Sequence, residues 1–160
     1  MSSEPPGPSA KAANNRLDRL AVWAARLALA ASGLVLLLVG SKFIGDPVGA
    51  AAASHTSLGS PVAVTNMRAS FGAFPLGIAL VALLSLISRR RHLAGLAVVA
   101  TILGTVIAVR IFGILTDGTF SESLTVLGAE TVLFLLCLLA IAAGMASGRN
   151  GEQAIGHDPH

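Results

Sequence analysis

Residues 89–115 read RRRHLAGLAVVATILGTVIAVRIFGIL: three arginines and a histidine, then an apolar run from Leu93 to Leu115 in which Arg110 is the one charged residue. A helix rises about 1.5 Å per residue and the hydrocarbon core of a bilayer is about 30 Å thick, so roughly 20 apolar residues suffice to cross it. This run is long enough, and its basic start marks a boundary at which the chain stays in water. Upstream of the arginines, Ala69 to Ser88 is a second such segment; further out lie Leu20 to Ile44 and Leu124 to Ala146.

The composition agrees. Hydrophobic residues make up 54% of the 160 and charged residues 12%, with a mean hydropathy of +0.77, too apolar for a soluble domain of this size. Strands of a membrane barrel would alternate apolar and polar over about ten residues. No such alternation occurs, which leaves helices as the structure that satisfies the backbone in lipid. The pI near 10.0 invites a nucleic-acid partner, yet no aromatic or polar residues are interleaved with the cations, so none is expected and the lipid bilayer is the partner indicated.

The expected fold is therefore all-α: a four-transmembrane-helix up-down bundle at residues 16–147, with helices at about 17–44, 68–88, 92–115 and 122–146. Residues 1–15, rich in Pro, Ser and Gly, and residues 148–160 read as disordered cytoplasmic tails. The first apolar segment exceeds the 7 to 15 residues of a signal-peptide core and is read as a retained span. Lys11, Arg16, Arg19, Arg26, Arg89, Arg90, Arg91 and Arg149 fall on one side of this topology and Lys42, Arg68 and Arg110 on the other. Cations resist translocation, so both termini and the arginine hinge are expected in the cytoplasm, with the chain in the plasma (inner) membrane.

Local signals refine the picture. Gly45-Asp46-Pro47 ends the first helix, and Val48 to Thr65 reads as the longest loop. Pro75 predicts a kink in helix two. Ala69, Ala73 and Gly77, and likewise Ala100, Gly104 and Ala108, recur every four residues and read as packing faces. Trp23 suits an interface, Cys137 a buried apolar site, and His55 a solvated loop. No metal-ligand spacing, catalytic triad, phosphate loop or paired cysteines occur, so no cofactor, metal or catalytic residue is assigned and the chain is not read as an enzyme.

Two charges interrupt the last spans. Arg110 in helix three and Glu130 in helix four each cost about 2.5–3.5 kcal/mol at a helix centre on the insertion scale. Antiparallel neighbours would bring them to the same depth, where they can pair. Asn66 and Arg68 at the start of helix two, and Asp117 near the end of helix three, should lie at the same end of the bundle. Together Asn66, Arg68, Arg110, Asp117 and Glu130 form the candidate polar cluster.

The runs Thr65-Asn66-Met67-Arg68-Ala69-Ser70-Phe71-Gly72-Ala73 and Val109-Arg110-Ile111-Phe112-Gly113-Ile114-Leu115-Thr116-Asp117-Gly118, followed by Glu130, resemble the bacterial integral-membrane family called "domain of unknown function 4345". The resemblance covers about residues 20–146. It departs from the family pattern where Asn66 stands one residue closer to Arg68, where Val109 replaces a glycine, and where Ala73 replaces the second glycine of a pair. It implies a four-helix membrane protein with this polar cluster and implies no reaction; in helix count and size the chain is also similar to DoxX-like membrane proteins. The expected function is a non-enzymatic membrane module that binds a small lipophilic or anionic ligand, or a partner protein, through the cluster. The alternatives are a small proton-coupled transporter using Glu130 and a purely structural membrane subunit.

Overall fold

The computed structural model describes residues 8–118 and 120–155, and no strand occurs among them. The chain runs α1 (Pro8–Gly45), α2 (Pro47–Ala52), α3 (Pro61–Met67), a π-helical segment (Arg68–Ala73), α4 (Phe74–Ser85), α5 (Arg89–Asp117) and α6 (Phe120–Ile155). Four helices are long and apolar enough to cross a membrane: Asp18–Gly45, Pro61–Ser85, Arg89–Asp117 and Ser123–Ala146. The fold is the expected four-helix bundle. The end bearing Arg89, Arg90 and Arg91 is called the hinge end and the end bearing α2 the loop end.

Three boundaries differ from the sequence reading. Residues 8–15 are helical, because Pro8 suits a first helical turn and Ala10, Ala12 and Ala13 are strong helix formers. Helix two begins at Pro61 rather than near residue 68: the Ser60 hydroxyl accepts the Ala63 N–H at 3.2 Å and Pro61 opens the helix, a cap inside what reads as loop. The stretch 48–65 likewise contains α2, where the Asp46 carboxylate accepts the Gly49 N–H at 2.9 Å. Helix four continues to Ile155, past its expected end near 146. The outer parts of the expected tails, residues 1–7 and 156–160, lie outside the described residues.

Helix α1 packs against α4 on one side and α6 on the other, and α5 closes the ring against α6 and α4. Ala25, Ala28 and Leu29 of α1 meet Ala82 of α4, Leu96, Val99, Ala100 and Leu103 of α5, and Cys137 and Ala140 of α6. All of these lie towards the hinge end. Small residues set the spacing there: a Cβ at Gly95 would lie 2.4 Å from the Ser85 hydroxyl. Ser32 and Cys137 face each other in the core with Oγ and Sγ 3.8 Å apart. Outside this core, Leu38, Phe74, Val109, Leu115 and Leu139 are exposed, an apolar exterior that lipid, not water, must cover. The chain is a multi-pass membrane protein.

The proline expected to kink helix two follows a widened turn. Pro75 has no N–H to give and its ring crowds the carbonyl four residues back. Just ahead of it the Phe74 N–H donates to the Ala69 carbonyl, five residues back, in the π-helical segment. That segment lies on α1 at very close range: a Cβ at Gly40 would stand 2.7 Å from the Gly72 carbonyl oxygen and 3.0 Å from the Leu76 nitrogen. The expected packing face of helix two turns the other way. Ala69, Ala73 and Gly77 are exposed and line a surface groove, while Gly72, Ala79, Ala82 and Ser85 are the buried residues. The ladder in helix three divides: Ala100 is buried and Phe134 covers Gly104, but Ala108 is exposed.

Candidate functional site

Helical periodicity carries the core stripe to two charges. Residues seven apart in a helix lie about 20° from one another around the axis, so Leu96, Leu103 and Arg110 share one face of α5, and Glu130, Cys137 and Gly144 share one face of α6. Arg110 and Glu130 thus extend the inward-facing stripe two turns beyond its last fully buried members. Each stands seven residues inside its span, which ends at Asp117 for α5 and starts at Ser123 for α6. At about 1.5 Å per residue, this sets both about 10 Å below the loop end.

The two side chains meet in a bidentate fork. Arg110 Nε–H donates to Glu130 Oε2 at 2.7 Å and Nη2–H to Oε1 at 2.6 Å. This is the one ion pair among the described residues. Both charges are desolvated in part, with 30% of the Arg110 side chain and 16% of Glu130 exposed. A planar guanidinium matches a carboxylate edge to edge, which strengthens and orients the pair. The guanidinium carries five N–H donors, so three remain beyond the two given to Glu130.

The other members of the expected cluster serve different positions. Arg68 is exposed and its Nε–H donates to the Ile44 carbonyl at 3.2 Å, placing a cation on the last turn of α1, where unsatisfied carbonyls and the helix dipole favour one. Asp117 is exposed at the end of α5 and accepts a hydrogen bond from the Thr116 hydroxyl at 3.2 Å. Beyond it Gly118, at φ 70°, ends α5 with its N–H donating to Ile114 O at 3.1 Å, the left-handed cap that glycine adopts without strain. Asn66 is exposed on α3. Among the described residues no hydrogen bond or ion pair joins Asn66, Arg68 or Asp117 to the Arg110–Glu130 pair. The structure brings two of the five together; of the others, Arg68 turns to the last turn of α1, Asp117 stands at the end of α5 and Asn66 is exposed on α3.

One residue escaped the sequence reading. His92, set beside three arginines with no apparent carboxylate, is 4% exposed, and it lines a hinge-end cavity together with Asp18 of α1. Seventy-four positions separate the two and no motif links them; only the packing of α1 on α5 brings them to one space. No group of three or more His, Cys, Asp or Glu side chains that could hold a metal ion occurs among the described residues.

No curated protein and no solved structure matches the chain. The family described as "Domain of unknown function (DUF4345)" matches residues 18–141, from the first turn of the first span to the end of the shared core in the fourth. That match takes in the first three spans, the fourth as far as residue 141 and both members of the ion pair, and the chain belongs to this family.

Proposed function

We propose that the protein is a non-enzymatic membrane module that binds a small lipophilic ligand bearing a carbonyl or anionic group, with the Arg110–Glu130 pair as the polar floor of the site. The observation that carries this reading is the partial exposure of a neutralised pair on the inward-facing stripe. Arg110 is held by Glu130 in one orientation, and its remaining N–H donors are available to an acceptor entering from the loop end. Ionisable groups at membrane depth mark functional sites by default, because their insertion cost has to be offset by some use. Arg68 and Asp117 would tune the approach electrostatically rather than touch the ligand.

A structural clamp is the second reading, and the short bidentate geometry favours it: the pair fixes the register of α5 on α6 whether or not anything binds. The transporter reading draws less support, since both oxygens of Glu130 accept from Arg110 and a proton carrier needs a carboxylate free to exchange. A charge exchange separates the first two. The double variant R110E/E130R should restore accumulation lost in Arg110→Ala, because the pair is re-formed. A small molecule that copurifies with wild type and is absent from the exchanged variant by mass spectrometry supports binding; identical copurifying species in both leave only the clamp.

We also propose the orientation expected from the basic residues, with both termini and the hinge end in the cytoplasm and the ion pair nearer the outer face of the plasma membrane.

A further inference from the structure

The hinge end holds a second polar position, remote from the ion pair. A cavity of 320 Å³ opens there between α1, α5 and α6, with Asp18, Arg89, His92, Leu93, Ala140 and Gly144 among its walls. His92 is buried and its Nε2 has no hydrogen-bond partner among the described residues. A buried polar atom without a partner is costly, so a group that bonds Nε2 from within the cavity is stabilising. His92 also lies in the first turn of α5, where unpaired backbone N–H groups and the helix dipole favour an anion.

We propose that this cavity binds the phosphate group of an anionic phospholipid. His92 Nε2–H and the Arg89 guanidinium are the donors, and Asp18 accepts from a hydroxyl of the headgroup. Three observations fit that occupant. The cavity lies where two spans begin, at Asp18 and Arg89, the level of lipid headgroups. The charge there is of the right sign, with Arg16, Arg19 and Arg89 exposed near Asp18, the one carboxylate among the residues lining the cavity; basic pockets between transmembrane helices recognise anionic headgroups in this way. Leu93 and Ala140 give the cavity an apolar wall that accepts the glycerol end of an acyl chain.

The test is thermal unfolding of the full chain in detergent micelles containing phosphatidylglycerol, phosphatidylcholine, or phosphatidylcholine with inorganic phosphate. Phosphatidylglycerol should raise the midpoint by about 3 °C or more over phosphatidylcholine. Arg89→Gln and His92→Leu should each remove that difference, while the double variant R90Q/R91Q, at exposed arginines outside the cavity, should keep it. His92→Leu should also raise the midpoint in phosphatidylcholine alone, because it deletes the unpaired nitrogen, which shows that its lost response is not misfolding. An equal rise with inorganic phosphate keeps the same donors and names free phosphate as the occupant. A lipid response that survives both cavity variants, that vanishes in R90Q/R91Q, or that is missing from the wild type overturns the site.

Discussion

At the scale of single residues, the Arg110–Glu130 fork is the arrangement on which most depends. Removing one partner from a buried pair leaves an uncompensated charge and costs about 3–5 kcal/mol, while the intact pair is worth much less than that. The exposure of Arg110 moves the expected loss to the low end of the range. Arg110→Ala and Glu130→Ala should each destabilise the protein by about 3 kcal/mol, and replacing both by Leu should be nearer neutral. Cys137 supplies the readout: it is the only cysteine and is fully buried in the core, so maleimide labelling under increasing denaturant reports unfolding. Equal labelling curves for wild type and both alanine variants would remove the pair from the account of stability. The pairing was legible in the sequence, because helix direction and depth along two antiparallel spans are fixed by counting residues. The placement of Arg68 was not, since whether an exposed arginine turns to a ligand or to the carbonyl of Ile44 depends on how close two helix ends come.

At the scale of elements, helix two shows how a single proline reshapes a span. Pro75 removes one donor, the preceding turn widens to Phe74–Ala69 bonding, and the widened turn is the part that lies closest to α1. Glycines at this contact therefore differ sharply from those on the outer face. Gly40→Ala forces a methyl against the Gly72 carbonyl and the Leu76 nitrogen, backbone atoms that cannot swing aside, and should cost about 1–3 kcal/mol. Gly77→Ala meets nothing within 4 Å and should be neutral or stabilise by up to about 1 kcal/mol through helix propensity. Thermal midpoints of the two variants in one detergent check the contrast; a tolerated Gly40→Ala would mean that α1 and the π-helical segment are not so closely packed. Spacing of small residues by four identified helix two as glycine- and alanine-rich but chose the wrong face, because in a span apolar all round that spacing does not mark which side meets a neighbour.

At the scale of the whole molecule, the bundle is closed at one end and carries its polar pair towards the other. The buried core joins all four spans at the hinge end, where Leu86, Ile87 and Ser88 turn α4 directly into α5, whereas towards the loop end the π-helical segment of the second span rests on α1 and α3 packs against α2. The asymmetry in charge matches this asymmetry in packing, and it yields a prediction of its own: reporter fusions at the carboxyl terminus, and in the loop at Gly59, should report cytoplasmic and external locations respectively. The opposite result would place the ion pair nearer the cytoplasmic face. The sequence by itself determined the class, the number of spans, their antiparallel order and the two charges that meet, because hydrocarbon thickness and backbone hydrogen bonding admit few alternatives for apolar runs of this length. Only the tertiary structure decided which face of each helix is buried, that Arg68 caps α1, and that His92 shares a cavity with Asp18. Those outcomes depend on rotations of helices about their own axes, and in a chain apolar on every face no hydrophobic stripe marks that rotation in advance.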